Sequence, residues 1–299
     1  MQISTSLFYN NASSRLSKMG ERASELQTQI ATGKKIIKPS DDPAGAQQLA
    51  ELDRRDADAA VYGNNMTLAS SLLDQADGVL KQINAQLTRA TELATQATTG
   101  TQTDASRKII ATELKSIVGS LVSLANSKNV RGQPLFGTAA GGAAVTDNKD
   151  GTFTFPTDAP VSEVPIADGQ TVQATESAKT IFDLGGGDDT LTLLSRMAAT
   201  LNAGGDVSAA MGTSLDSLSQ AVNQVADVTA SIGARNARVD LQQQLLTTAN
   251  TDRADLRGKL EQVDVTDAIV QLQQMMTALS ASQASFTKLS QLSLFDYLK

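Results

Sequence analysis

Met66, Ala69, Leu73, Ala76, Leu80, Ile83, Leu87, Ala90, Ala94 and Ala97 recur at alternating spacings of three and four without a break. That period puts them all on one face of an α-helix, as the seam of coiled-coil-like packing. A strand cannot use such a pattern, because its side chains alternate between two faces at every residue. The stretch predicts a helix from Pro43 toward Thr98, closed by Thr99-Gly100-Thr101, and it commits much of the chain to helix.

Shorter seams repeat the theme. Tyr9, Ala12, Leu16, Met19, Ala23, Leu26 and Ile30 predict a first helix, stopped by Gly33 with Lys34 and Lys35. Ile110, Leu114, Ile117, Leu121 and Leu124 predict a third, ending near 129–132. After a break, Leu191, Leu194, Met197, Ala198 and Leu201 mark a helix that stops at Gly204-Gly205. A long one then carries Leu215, Leu218, Val222, Val225, Ile232 and Val239 toward Leu246, with Thr229, Asn236 and Gln243 as polar seam members that set register. The last helix places Val265, Ile269, Leu272, Met276, Leu279 and Phe286 on its seam and finishes with Leu292 to Lys299, including Leu294 and Phe295.

Between the helical stretches, Asp147-Asn148-Lys149-Asp150-Gly151 reads as a turn into the alternating Thr152-Phe153-Thr154-Phe155. Asp168-Gly169 joins two short extended runs as a hairpin signal. The fold class expected is mainly α: an elongated antiparallel helical bundle or coiled coil formed by the N- and C-terminal segments, with a small central β-rich insertion. The expected domains are 1–40 with 262–299 as a terminal coiled coil, 41–137 with 188–261 as a helical rod, and 138–187 as a β-rich outward projection.

Composition narrows the chemistry. Among 299 residues there is no Cys, no His and no Trp, which removes the commonest metal ligands, the usual acid/base near neutral pH and the thiol nucleophile. A net charge of -7 argues against a phosphate-backbone partner, since nucleic-acid affinity rests on clustered Lys and Arg. No run approaches 18 apolar residues, so membrane insertion is not expected, and the N-terminus does not read as a cleaved signal peptide. No cofactor is expected.

The stretch Lys38-Pro39-Ser40-Asp41-Asp42-Pro43-Ala44-Gly45 sets two carboxylates between two prolines. A metal site would need several more oxygens at defined spacing. The alternative assigns Asp42 as the N-cap of the long helix and Pro43 as its first residue, where the missing N–H costs nothing, with both carboxylates at the positive end of the helix dipole. Pro39 and Pro43 then restrict the backbone at a joint between two helical layers. Gly185-Gly186-Gly187-Asp188-Asp189 lacks the stacked repeats of a Ca²⁺ β-roll and the Lys-Ser/Thr of a phosphate-binding loop. It reads as a flexible link into a helix capped by Asp188 or Asp189. Met66, Met197, Met275 and Met276 read as core filler rather than a binding groove. No Gly-x-Ser-x-Gly element is present, and the chain reads as non-enzymatic.

Several of these stretches together resemble the bacterial flagellin superfamily. They are Gln2-Ile3-Ser4-Thr5, the run Gln29 to Ala46 through the joint, Ala90-Thr91-Glu92-Leu93-Ala94, and the ending Gln283-Ala284-Ser285-Phe286 to Leu298. Filament flagellins tend to read Ser-Ala-x-Asp-Asp-Ala-Ala-Gly at the joint. Pro39, Pro43 and the Leu294-Phe295-Asp296-Tyr297-Leu298 ending lean instead toward the hook–filament junction members. The resemblance implies pairing of the terminal helices into an inner domain, export through the flagellar type III apparatus without a cleaved signal, and a place in the extracellular flagellum. It also implies partners: further copies of the chain, the hook-side junction protein, flagellin and an export chaperone.

On that reading the assembly seam is Tyr9, Leu16, Met19, Leu26, Ile30, Ile269, Leu272, Met276, Leu279, Phe286, Leu294 and Phe295. The hinge and cap are Pro39, Asp41, Asp42 and Pro43. The terminal seams are expected to stay disordered in the free chain and to fold on assembly. Two other readings stay open: a filament subunit, and a surface adhesin or glycan-binding head using Phe153, Phe155 and Phe182. The Arg-x-Arg-Glu-Leu stretch by which immune receptors recognise some flagellins is incomplete, with Thr91 in place of the second Arg.

Overall fold

In the computed structural model, residues 2–99, 102–129, 132–137, 142–156, 163–205 and 207–296 are described; the side chains of 2–6, 8 and 289–296 are not. Helix α1 (Gln2–Thr32) leads into α2 (Pro43–Thr98) and α3 (Asp104–Ala125). Short strand pairs follow: β1 (Thr146–Asp147) with β2 (Phe153–Thr154), β3 (Glu163–Ala167) with β4 (Gln170–Gln173), and β5 (Asp183–Gly185) with β6 (Asp188–Asp189). All three pairs are antiparallel. The single-turn helix α4 (Ala178–Phe182) precedes β5, and α5 (Thr190–Ala203), α6 (Ser208–Glu261) and α7 (Val265–Asp296) complete the order. The fold is mainly α with a few small strand pairs in its central region, as the seams and turn signals predict.

The local chemistry explains the boundaries. Gly33 ends α1 at φ +70°, a conformation that favours residues without a Cβ, and its N–H returns 2.8 Å to the Gln29 carbonyl. Thr103 caps α3 through its side-chain oxygen. Gly185, Gly186 and Gly187 all lie in the left-handed region. They form the tight turn between β5 and β6 instead of a loose link, and α5 is capped by Asp189, which accepts from the N–H groups of Leu191 at 3.0 Å and Thr192 at 2.9 Å. Asp188 pairs with Arg196 at 2.9 Å.

The chain forms two compact units, residues 1–58 with 248–299 and residues 59–247. Inside the first unit, Arg253 and Arg257 of α6 pair with Asp53 and Asp56 of α2.

In the second unit the ten-residue seam of α2 is buried, with Met66, Leu73, Leu80, Ile83 and Leu87 fully enclosed. Each such side chain stabilises by roughly 1.5–3 kcal/mol relative to exposure. The alanines between them let neighbouring backbones approach closely. Helices α3 and α5 pack on one another, and Leu135, Phe136, Val145, Ile166, Val172 and Phe182 join the same core. Most described apolar residues of 138–187, among them Val145, Phe153, Ile166, Val172 and Phe182, pack in or against this core with the helices. An ion pair anchors this stretch: the buried Glu176 carboxylate receives Arg235 of α6 at 2.8 Å, and Arg235 also donates to the carbonyls of Gln173 and Thr175 at 3.4 Å. Asn236 of α6 donates to Asp74 of α2 at 2.8 Å, a polar register point of the kind its seam position implies.

Candidate functional site

The first unit holds the residues singled out as assembly seam and joint. Helices α1 and α7 pack along each other. On α1, Ala23 and Leu26 are buried, and Tyr9, Leu16, Met19 and Ile30 are half-buried along the same stripe. Tyr9 meets Phe286 of α7 edge to face, ring centres 5.4 Å apart. Leu16, Met19 and Phe286 line one groove between the two helices.

On α7 the covered stripe is Ala268, Leu272, Met275, Leu279, Ser282 and Phe286, at spacings of four and three. It shares Leu272, Leu279 and Phe286 with the seam read from the sequence but is displaced by one residue on its other flank. Ile269 and Met276, read as seam members, instead lie 41% and 51% exposed beside Val265 and Val270. The structure thus brings Tyr9, Leu16, Met19, Leu26, Ile30, Leu272, Leu279 and Phe286 into the α1/α7 face and leaves Ile269 and Met276 outside it. The side chains of Leu294 and Phe295 lie outside the described residues.

At the joint both carboxylates are spent on backbone. Asp41 accepts from the N–H groups of Lys38 at 2.7 Å and Ile37 at 3.1 Å, closing the turn after α1. The Lys38 N–H is the largest of the influences that hold its carboxyl below the usual range. Asp42 accepts the Gly45 N–H at 3.0 Å, the third residue of α2, and so stands at the N-cap with Pro43 in the first helical position. Pro39 and Pro43 are exposed and bracket these two turns. Among the described residues no group of three or more carboxylates is arranged to hold a metal.

Two features here had no signal in the sequence. Gly45 is buried, and a Cβ built on it would lie 2.6 Å from Ile36 Cδ1 and 2.7 Å from Asp42 Oδ2. The missing side chain makes room for both the cap and the buried Ile36. The second feature is a tie between the end of α1 and the α6–α7 turn: Lys35 N–H donates to Glu261 O at 2.6 Å, Val263 N–H to Gly33 O at 3.1 Å, and Lys34 pairs with Glu261 at 2.9 Å. Gln29, buried in α1, donates to the Lys35 carbonyl at 3.1 Å. Lys34 and Glu261 of the tie lie 227 positions apart in the chain.

Beside this tie, Asp56 accepts from Arg253 at 2.8 Å and from Arg257 at 2.9 Å. Arg253 foremost, then Arg257, depresses the Asp56 pKa. In the second unit, Arg89 of the incomplete Arg-x-Arg-Glu-Leu stretch is engaged with Glu113 and Glu92.

A seam of paired terminal helices, a capped joint and a long seam helix define a class, and similarity to known proteins agrees with it. The bacterial flagellin N-terminal helical region matches residues 3–140. Over this stretch the chain is similar to the bacterial flagellin superfamily. Within it, the flagellar hook-associated protein 3 of Salmonella typhimurium is 27% identical over 319 residues and covers 99% of both chains. A flagellin of Listeria monocytogenes, also 27% identical, matches over 144 residues, 48% of this chain and 50% of its own. In fold, the crystal structure of the flagellar junction protein FlgL from Legionella pneumophila superposes with a TM-score of 0.60 at 14% identity, over 73% of this chain and all of that one. Over nearly its whole length, then, the chain is similar to flagellar hook-associated protein 3.

Proposed function

We propose that this chain is a structural subunit of the bacterial flagellum, placed outside the cell body at the junction between hook and filament, and that it has no catalytic role. The observation that carries the reading is the end-to-end similarity to a hook-associated protein 3, against a match confined to half the chain for a flagellin. In this reading the chain leaves the cell through the flagellar type III apparatus, with an export chaperone. Its copies then contact one another, a hook-side junction protein and flagellin.

The geometry supports a division of labour within the first unit. One side of α7 is covered by α1 of the same chain. The adjoining flank presents Val265, Ile269 and Met276 to water, an apolar strip that costs solvation free energy until a neighbouring subunit covers it. Pro39, Asp41, Asp42 and Pro43 hold the turn from α1 into α2.

Deletion of the gene in its host tests the reading. Secreted, unattached flagellin with bare hooks is expected. Filaments that remain attached and full length overturn it, and a hook that carries a completed junction but no filament subunit identifies the chain as the filament protein instead.

A further inference from the structure

Asp-Gly occurs three times in this chain, at 77–78, 150–151 and 168–169. Such a pair is open to internal attack, because glycine has no Cβ to shield its nitrogen from the aspartate carboxyl before it. The three stand in different surroundings. At 77–78 the pair lies inside α2, where the Gly78 N–H belongs to the helical ladder and the Asp77 carboxylate holds Lys81 at 2.6 Å. At 150–151 the Asp150 carboxylate accepts from the Thr152 hydroxyl at 2.6 Å and from the Thr152 N–H at 2.9 Å. The hydroxyl foremost, then the N–H, holds that carboxyl below its usual pKa.

At 168–169 the pair forms the exposed turn between β3 and β4. Among the described residues the Asp168 carboxylate meets no donor and no cation, and the Gly169 N–H has no acceptor. Gly169 sits at φ +64°, with nothing within 4 Å of where a Cβ would stand.

We propose that Asp168–Gly169 is a site of isoaspartate formation in the folded chain, and that the fold protects the other two Asp-Gly pairs. The site does not depend on what the chain assembles with. The Gly169 nitrogen attacks Asp168 Cγ: a C–N bond forms, the nitrogen gives up its proton, and a carboxyl oxygen leaves as water, closing a succinimide ring. Water then opens the ring. Opening at Cγ restores aspartate. Opening at the α-carbonyl leaves the main chain running through Cβ and Cγ, with the old α-carboxylate as the new side chain. One water leaves and one enters, and nothing is oxidised or reduced. Ring closure needs a neutral carboxyl, which the Thr152 bonds withhold from Asp150, and a nitrogen free to turn, which the helix withholds from Gly78.

The product does not fit this turn. Two residues connect Ala167 to its partner Gln170, and isoaspartate lengthens the main chain there by one methylene. The arms cannot slide to absorb it. Ile166 and Val172 are buried in the core, Asn65 of α2 donates to the Pro165 carbonyl at 2.8 Å, and Thr171 donates to Glu163 across the pair at 2.6 Å. A slip of one residue would turn a buried side chain out to water. The strain therefore falls on the pairing of Ala167 with Gln170, at the tip of the hairpin.

The purified full chain is held at neutral pH and sampled over weeks. Peptides carrying each pair are separated from their isoaspartyl isomers, which share their mass but fragment differently on electron transfer. Isoaspartate is expected at 168 while 77 and 150 stay unconverted, and in denaturant all three should convert. No conversion at 168 in the folded chain, or conversion at 77 or 150 equal to it, overturns the proposal. The same preference for 168 in denaturant makes the site a matter of local sequence, which overturns the protection by the fold.

Hydrogen exchange reads the consequence. In aged protein the amides at 170–172 are expected to exchange about fivefold faster than in fresh protein, the worth of one net hydrogen bond. Asp168→Ser, which keeps a turn-forming residue and removes the reacting carboxyl, should show no change on ageing. Equal acceleration in Asp168→Ser, or unchanged exchange in wild type that carries the isomer, overturns the loosening of the hairpin.

Discussion

Replacing Gly45 with Ala sets two effects against each other at the joint. In an exposed helix, Gly→Ala stabilises by up to about 1 kcal/mol. Here the new Cβ arrives 2.6 Å from Ile36 Cδ1 and 2.7 Å from Asp42 Oδ2, so at least one neighbour must move. Turning the Asp42 carboxylate away breaks its 3.0 Å cap bond, at about 1 kcal/mol. Moving Ile36, now 9% exposed, gives up part of the roughly 1.5–3 kcal/mol that burying such a side chain contributes, about half of it for a partial displacement. Where both neighbours give way, the losses of about 2 kcal/mol outweigh the gain by about 1 kcal/mol.

Because the chain forms two units, a global melt reports mainly on the larger. Native-state hydrogen exchange at the amides of 45 and 46 reads the joint directly, and protection there should fall about fivefold. The double variant Gly45→Ala with Asp42→Ala supplies the cycle. If the new methyl group acts mainly by expelling the cap, the two losses are not additive, and the double variant loses little more than Asp42→Ala alone. Slower exchange in Gly45→Ala than in wild type refutes the crowding argument outright, because propensity would then have won.

Arg235→Ala leaves the buried Glu176 carboxylate without its 2.8 Å partner and is expected to cost about 3 kcal/mol, seen as a lower melting temperature and faster proteolysis within 163–182. Arg257→Met removes one of the two arginines on Asp56. The Asp56 pKa is depressed in the folded chain, so its contribution is present above its ordinary value of 3.8 and lost as pH falls through the folded value. The variant should therefore unfold its first unit at a higher pH than wild type, with a change near neutrality of only about 0.5 kcal/mol; acid titration followed by the exchange of α6 amides checks both. Leu26→Asp, at a residue 2% exposed, should unpair α1 from α7 in the isolated chain. Ile269→Asp should leave helix content and melting unchanged and abolish attachment in the host. Circular dichroism together with a filament count distinguishes them.

The sequence by itself determined the helices. An unbroken 3,4 period can be satisfied on one helical face only, and Pro43 after Asp42 admits few alternatives to a capped start, so α2 runs from Pro43 to Thr98 where the pattern places it. The Asp42 cap was legible for the same local reason: donor and acceptor are three residues apart. What only the tertiary structure decided is which neighbour each face meets. On α7, two stripes share Leu272, Leu279 and Phe286. Period alone cannot choose between the flank of Ile269 and Met276 and the flank of Ala268 and Met275, and hydrophobicity favours the one that α1 leaves exposed. In the fold the covered flank is that of Ala268 and Ser282, and Tyr9 meets Phe286. The void that Gly45 leaves for Ile36, the strand-like tie of Lys35 to Glu261 and the Arg253–Asp56 pair join residues brought together only by folding. No periodicity along the chain carries their distance in space.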